Sequence, residues 1–266
     1  MSGDKDSFVK TSLCLSPFYR HLSVGKSHSS RQTLKLKMTG TKVDLERFIR
    51  RVRLLAEDAT RVAEELELPE KYVVLNVHQY ALEPYITFLR RFYSHSGELY
   101  GIIPMNPGKN GAVRTGIPFT DPFMARQIFP EFAEWEKHIS LPVALPPAQR
   151  EFSGRRVYIW GQKRFGRVEN FLRKVLIYLP CPIAVLKIQR KSVVNVPIDL
   201  LPQRQMEKIL AMVEEHLPEM ISVSEPKGIM LWGRFAERIY RELRRKGRWD
   251  QKILVSRAKH PAARLS

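Results

Sequence analysis

The stretch from Tyr100 to Pro122 constrains the fold more than any other part of the sequence. The apolar run at 99–103 is typical of a short buried strand. Six glycines and prolines then impose a tightly turning loop: Pro104, Pro107, Gly108, Gly111, Gly116 and Pro118. Ligands in α/β proteins bind beyond the carboxyl ends of the strands, so this strand and loop predict a binding site.

Strands alternate with helices along the rest of the chain. Apolar residues at helical spacing predict an amphipathic helix of about six turns from Leu45 to Leu66, ended by Pro69. The remaining pattern predicts helices at 84–93, 129–137, 168–176, 201–217 and 235–246, an apolar segment at 177–188, and strands at 228–232 and 253–256. This order indicates an α/β fold, a three-layer α/β/α sandwich with a mostly parallel central sheet.

Composition narrows the class of protein. The chain carries 45 Lys and Arg against 27 Asp and Glu, and this net charge of +18 favours a polyanionic partner, nucleic acid before an anionic membrane surface. No apolar run reaches the roughly 18 residues of a membrane span, which predicts a soluble, intracellular protein, cytoplasmic in a bacterium or nuclear in a eukaryote. Cys14 and Cys181 are too few for a disulfide framework or an iron–sulfur cluster, and no histidine has metal-ligand spacing.

The first 37 residues differ from the rest. They combine eight serines with a net charge of +5 and show no periodicity, so we expect a disordered basic segment. An organelle presequence, or a true start at Met38, would account for them as well. Residues 38–266 are predicted to form one α/β domain with an N-terminal helical extension at about 43–93.

The loop that follows the strand at 99–103 also carries a recognisable pattern. Met105-Asn106-Pro107-Gly108, followed by Thr115-Gly116-Ile117-Pro118-Phe119, resembles the MNPG…TGVPF motifs of the single-strand-selective monofunctional uracil-DNA glycosylases. Further segments resemble the same family in the same order: YALEP at 80–84, EFSG at 151–154, WG at 160–161, Cys181-Pro182, Pro202, Gly233-Arg234 and His260-Pro261. The resemblance covers roughly residues 44–264 and implies the uracil-DNA glycosylase fold.

The resemblance implies a set of catalytic and base-binding residues. Asn106 would orient the attacking water, and His260 would donate a hydrogen bond to the departing base. The base would be bound by Met105, Gly108, Ala112, Phe119 and Leu179, with Phe119 stacking on its ring. The family needs no metal or cofactor, and no lysine suggests an imine-forming nucleophile. Taken singly, an Asn before Pro is a common turn residue and a His before Pro a common surface residue.

Two departures from the family bear on the substrate. Leu179 stands where the family has an Asn that contacts the Watson–Crick edge of the pyrimidine, and an aliphatic side chain cannot make those hydrogen bonds. An unpaired base edge costs about 1–3 kcal/mol, so a different base preference is open. The chain also stops soon after His260, without the family's duplex-entering wedge, which favours single-stranded substrates.

A dense basic run lies between residues 238 and 248, next to Trp249. Such runs are usually solvated helix faces, but the charge of the chain favours a surface that follows DNA phosphates. The predicted DNA-binding residues are Arg241, Arg244, Arg245, Lys246, Arg248 and, from the family motif, Arg264. The sequence therefore predicts a monomeric DNA glycosylase acting on uracil or a related damaged base. The alternative is a relative that binds single-stranded or damaged DNA without turnover; RNA binding has no motif in its favour.

Overall fold

Helices and strands alternate throughout the part of the chain that the computed structural model describes, residues 43–94, 97–190, 192–258 and 261. The helices are α1 (Leu45–Glu64), α2 (His78–Tyr93), α3 (Ala112–Thr115), α4 (Pro122–Ile128), α5 (Phe132–Glu136), α6 (Phe152–Phe165), α7 (Val168–Lys174), α8 (Gln203–Ser224) and α9 (Arg234–Arg245). The strands are β1 (Tyr72–Asn76), β2 (Tyr100–Ile103), β3 (Val175–Ile177), β4 (Ile183–Gln189), β5 (Ser192–Val196), β6 (Gly228–Trp232) and β7 (Leu254–Ala258). A short 3₁₀ helix spans Ile198–Leu200.

The central sheet is parallel, with strand order β3-β2-β6-β7. All five residues of β6 are buried, as expected for a strand that is covered on both faces. Ile102 pairs with Ile177 on one side and with Met230 on the other, so the carboxyl ends of β2, β3 and β6 meet at one edge. The predicted α/β fold with a parallel central sheet is confirmed.

A second sheet is antiparallel and was not predicted. Its strand order is β1-β4-β5, with Asn76 opposite Ile183 and Val185 opposite Val196. The sequence indicated only an apolar segment at 177–188, because four consecutive apolar residues at 183–186 do not reveal which neighbour a strand pairs with. This β4–β5 hairpin lies beside the loop that follows β2, as described below.

The long helix α1 packs against α8. Its N-terminus is capped by Asp44, which accepts from Arg47 N at 3.0 Å, and its buried stripe includes Phe48, Val52 and Leu55. Burying each such side chain stabilises the fold by about 1.5–3 kcal/mol. The segment at 43–93 therefore differs from the predicted helical extension, because it also contains β1, which pairs with β4.

Several element boundaries differ from the prediction. α2 begins at His78, six residues earlier than predicted, and is kinked at Ala81. The predicted helix at 129–137 is shorter, and the helix at 168–176 ends at Lys174, where β3 begins. α6 was not predicted. The described residues all fall in one compact unit, Met38–Ser266, and no helix among them is long and apolar enough to cross a membrane. The predicted disordered segment at 1–37 lies outside the described residues.

Candidate active site

A cleft of about 280 Å³ lies at the carboxyl edge of the parallel sheet, beyond β2 and β3. Its walls come from the loop after β2, the segment around Phe119, the first turn of α6, the residue Leu179 after β3, and β5. Every described residue predicted to act on the base lines it: Met105, Asn106, Gly108, Ala112, Phe119 and Leu179. The structure thus brings together residues that are up to 74 positions apart in the chain.

Asn106 has one end of its amide fixed and the other end free. Its Nδ2 donates to the carbonyl oxygen of Val196 in β5 at 3.3 Å, and this contact sets which atom is the oxygen. The opposite atom, Oδ1, is buried, and no donor among the described residues bonds to it. A buried acceptor without a partner is costly, so it usually marks a place where water or a ligand binds.

Neighbouring contacts hold the loop of Asn106 against the hairpin. Lys109 N donates to Asn195 Oδ1 at 3.2 Å, and Lys109 Nζ donates to the carbonyl oxygen of Val193 at 2.5 Å. Three contacts with one strand fix the position of the loop. The sequence could not predict this support, because the hairpin itself was not predicted.

Phe119 is held in a conformation that phenylalanine rarely adopts. Its φ is +57°. Its ring packs edge to face on the ring of Trp232, the last residue of β6, with 5.3 Å between the ring centroids. The turn is held by two buried threonines: Thr115 Oγ1 donates to the Thr120 carbonyl at 2.8 Å, and Thr120 Oγ1 lies 2.6 Å from the hydroxyl of Tyr158. Left-handed backbone at a large residue is strained and concentrates at functional sites.

Two glycines allow the surrounding elements to approach this turn. A Cβ at Gly154 in α6 would lie 1.8 Å from the carbonyl oxygen of Phe119, so only glycine fits there. A Cβ at Gly116, whose φ is +72°, would lie 2.3 Å from the carbonyl oxygen of Ala81. The YALEP and EFSG segments therefore pack directly on the turn that presents Phe119.

Glu151 is a cleft residue to which sequence reasoning gave no role. Its Oε2 accepts from Gly154 N at 2.7 Å and so caps α6, while Oε1 faces Gly108, whose Cβ position would lie 3.6 Å away. Burial raises the pKa of this carboxyl group to about 7. In the sequence, the signal for a role of Glu151 was its position at the start of the EFSG segment. Only the fold shows that this residue, which caps α6, also lines the cleft.

Leu179 lines the cleft with an apolar surface, and its residue exposure is 1%. The hydrogen-bonding side chains around the cleft are instead contributed by the loop after β2, by α6 and by β5. Asn195 of β5 is among them, and its Oδ1 is already bonded to Lys109 N. The departure from the family pattern at Leu179 thus leaves part of the cleft wall without polar groups.

His260 and Arg264 lie outside the described residues, so their predicted roles stay predictions. The described residues on either side of His260 are placed. Ala258 ends β7 opposite Trp232, and the carbonyl oxygen of Pro261 accepts from Arg156 Nη1 of α6 at 2.5 Å. α6 also contributes to the cleft, and Trp232 also contacts Phe119.

The predicted DNA-binding residues from Arg241 to Arg248 lie on and just after α9, outside the cleft lining, and their role stays a prediction. α9 leaves the carboxyl edge of the sheet at Gly233 and extends about 18 Å toward the opposite edge, where β7 begins. Four of the six cations between 238 and 248 are paired with carboxylates: Arg241 with Glu237, Arg245 with Glu242, Lys246 with Glu214, and Arg248 with Glu215. Arg244 contacts the Tyr240 hydroxyl at 3.4 Å, and Trp249 is buried against the Tyr240 ring. The run therefore forms mainly a paired helix face.

No group of three or more His, Cys, Asp or Glu side chains within the described ranges could hold a metal ion. The cleft lining contains one carboxyl group, three asparagine amides, of which those of Asn106 and Asn195 are partly engaged, and the aromatic rings of Phe119 and Phe152. Such a set can orient water and enclose a planar base.

The fold is that of a uracil-DNA-glycosylase-like α/β protein. The solved structure of SMUG2 from Pedobacter heparinus matches 78% of this chain and 87% of its own chain, with a TM-score of 0.56 and 20% sequence identity. No family model matches the chain.

The curated relatives indicate a more specific family than the solved structure does. The chain is 26% identical over 221 residues to the single-strand selective monofunctional uracil DNA glycosylase of Mus musculus, covering 80% of this chain and 76% of the mouse protein. The corresponding proteins of Bos taurus and Rattus norvegicus are also 26% identical, over 62% and 65% of this chain and 61% and 63% of their own lengths. The similarity to this family that the motifs indicated is confirmed.

Proposed function

We propose that the protein is a monofunctional DNA glycosylase that removes uracil or a related damaged base, with a preference for single-stranded or destabilised DNA. The observation that carries the proposal is the amide of Asn106, which is fixed through Nδ2 and free at a buried Oδ1 in a cleft that also presents Phe119. The curated relatives named as uracil-DNA glycosylases support the same reaction.

The reaction follows from what an amide can do. Asn106 Oδ1 accepts a hydrogen bond from a water molecule and orients its oxygen toward the anomeric carbon of the sugar. An amide is too weak a base to deprotonate water early, so the bond to the base breaks first and leaves positive charge on the sugar. The water oxygen then bonds to that carbon and its proton passes to solvent. The departing base carries the bond's electron pair, and His260 stabilises it by donating a hydrogen bond.

A reaction through an imine would need a free amine in the cleft. Lys109 is the described lysine that lines it, and its Nζ is bonded to the Val193 carbonyl. We therefore propose hydrolysis that leaves an intact abasic site. The strand should break only after alkali, and borohydride should trap no covalent complex with DNA.

The test is base release from single-stranded oligonucleotides that carry uracil, 5-hydroxymethyluracil, xanthine or hypoxanthine. Asn106→Ala should reduce release by about 10²- to 10⁴-fold, because the water loses its orienting group, and His260→Leu should reduce it by a similar factor. The matched control is Asn170→Ala, which removes another amide that donates to a backbone carbonyl but is exposed and distant from the cleft lining. Undiminished release by Asn106→Ala would refute the assignment.

A second candidate function rests on Leu179. An apolar residue in the cleft wall would suit a protein that binds single-stranded or damaged DNA without cleaving the glycosidic bond. Salt-sensitive binding to these oligonucleotides, with no release of any base by the wild-type protein, would favour this function over the glycosylase.

A further inference from the structure

We propose that Glu151 is the specificity-determining residue of the cleft, and that it selects bases whose edge presents a carbonyl oxygen next to a ring N–H. This inference rests on the proposed function and names the class of base. The class contains uracil, 5-hydroxymethyluracil, hypoxanthine and xanthine, and it also contains the normal bases thymine and guanine, so this contact selects the edge of the base and not its damage. It excludes cytosine and adenine, whose edges place an amino group beside an unprotonated ring nitrogen.

The position of Glu151 is the first argument. Its side chain is enclosed between the loop after β2 and the first turn of α6, with Cγ 3.0 Å from the Cβ position of Gly111 and Oε1 3.6 Å from that of Gly108. Gly108 and Ala112 line the same cleft as Asn106 and Phe119. Among the described residues that line the cleft, Glu151 is the one with a carboxyl group.

The second argument is the state of the other polar groups in the cleft. Leu179 offers no hydrogen bond, Asn106 Nδ2 is engaged by Val196, and Asn195 Oδ1 is engaged by Lys109. Asn110 and Ser153 also line the cleft, but amide and hydroxyl groups keep the same hydrogen-bonding pattern at every pH, so of these groups Glu151 alone changes its pattern with pH. Leaving a base edge unpaired in such a cleft would cost about 1–3 kcal/mol. Glu151 keeps lone pairs in excess of the hydrogen bonds from Gly154 N and the Ser153 hydroxyl, since each carboxyl oxygen has two.

The third argument is protonation. A neutral carboxyl group donates one O–H and accepts at its other oxygen, which is the pattern complementary to a carbonyl beside a ring N–H. The ionised group only accepts, so it would face the base carbonyl with a negative charge. Burial raises the pKa of Glu151 to about 7, so the neutral form is populated in slightly acidic solution.

Other charged and titratable groups near Glu151 act on the same equilibrium. Asp121 accepts from Glu151 N at 2.8 Å, and its negative charge also raises the pKa of Glu151, while Arg150 lies 3.7 Å from Asp121. The Gly154 N–H and the Ser153 hydroxyl favour the ionised form. Lys109 lines the cleft, Tyr158 packs behind it, and His260 lies outside the described residues. Deprotonation should therefore reduce base recognition as the pH rises through about 7.

The test compares Glu151→Gln with Glu151→Leu in single-turnover release of uracil between pH 5.5 and 9. Glutamine keeps one donor and one acceptor at every pH, so its rate should lack the decline near pH 7 that the wild-type protein shows. Leucine should reduce uracil release by about 5- to 150-fold at pH 6. It should also abolish the preference for uracil over 3-methyluracil, which has no ring N–H at that edge.

A loss of helix capping needs its own control, because Glu151 caps α6. Asp44→Leu removes the carboxylate cap of α1 and should lower stability without changing the base preference or the pH profile. If Glu151→Leu does not fold, the pH profile of Glu151→Gln still decides the matter. A Gln variant that declines in parallel with the wild type overturns the inference, as does a folded Leu variant that retains the preference for uracil.

A binding measurement separates this inference from the proposed function. Oligonucleotides with a 2′-fluoro-deoxyuridine or its 3-methyl derivative resist cleavage and report recognition alone. A wild-type preference for the unmethylated base that disappears in Glu151→Leu supports the inference even if no base is ever released. Release of uracil by the wild type without any such preference overturns the role of Glu151 and leaves the glycosylase intact.

Discussion

Two asparagines of this protein, one at the end of a strand and one after a strand, differ in how fully their side-chain amides are hydrogen-bonded. Asn76 ends β1, and its side chain is saturated: Nδ2 donates to Ala56 O at 2.8 Å and to Thr60 Oγ1 at 2.9 Å, and Oδ1 accepts from His78 N at 3.0 Å. Asn106 follows β2 and keeps a buried Oδ1 without a protein donor among the described residues. Burial of an amide therefore does not distinguish structure from function, whereas its unused hydrogen-bonding capacity does.

The same contrast holds for the cations. Arg245, Lys246 and Arg248 at the end of α9 each have a carboxylate partner. Beside the cleft, Lys109 and Arg156 donate to backbone carbonyls, and no described carboxylate lies within 4 Å of their charged nitrogens. The cations beside the cleft therefore differ from those at the end of α9 in having no carboxylate partner among the described residues.

The largest expected effect separates the two asparagines. Asn106→Ala should reduce base release by about 10²- to 10⁴-fold and change the free energy of unfolding by less than about 1 kcal/mol. Asn76→Ala should lower that free energy by about 1–3 kcal/mol, because His78 N–H loses its acceptor and Ala56 O and Thr60 Oγ1 lose a donor, while the folded fraction releases base normally. Urea denaturation and single-turnover assays measure both. The comparison fails if either variant affects both properties strongly.

An intermediate effect is expected at the rim of the cleft. Phe152 is 57% exposed, lines the cleft, and has the guanidinium of Arg156 at 4.1 Å from its ring centroid. A base flanking the target can stack there, so Phe152→Ala should weaken binding of single-stranded DNA by about 1–3 kcal/mol. Leu254, which is 54% exposed and begins β7 at the opposite edge, gives the control. Equal losses in Phe152→Ala and Leu254→Ala would argue against a stacking site.

The smallest effect concerns salt dependence. Replacing Lys109 or Arg156 with Ala should each reduce the slope of log affinity against log salt by about 0.7 for single strands, one phosphate contact per side chain. Arg245→Ala and Arg248→Ala should leave the slope unchanged, because their charges are paired with Glu242 and Glu215. The reverse result would restore α9 as the phosphate-binding surface.

Local patterns in the sequence predict much of the fold. Continuous apolar runs bounded by glycine or proline identify β2 and β6, and helical spacing identifies α1 and most of α8. The β4–β5 hairpin could not be predicted, because its pairing is a long-range choice and its turn lacks the Asn-Gly signal of tight hairpins. α6 was missed since three of its five buried positions, Ser153, Gly154 and Gly161, are small and give no apolar periodicity.

The sequence predicted which residues line the site, but not the contacts that hold them in place. Motif order placed Asn106 and Phe119 at the cleft, yet neither the carbonyl that orients Asn106 nor the role of Glu151 follows from residues near them in sequence. The position of the basic run relative to the cleft could not be predicted for a related reason. Charge patterning identifies α9 as a cationic helix, but its direction and its partners on α8 are properties of the tertiary structure.

The contact between Asn106 and Val196 makes the alignment of two strands part of the chemistry. Carbonyl groups of a strand alternate in direction, so a shift of β5 by one residue against β4 would turn the Val196 oxygen away from the amide. Inserting or deleting a single residue in the β4–β5 turn could then silence the enzyme while every residue that touches DNA stays unchanged. Damage to the reaction can therefore arise in a hairpin that contacts Asn106 through a backbone carbonyl.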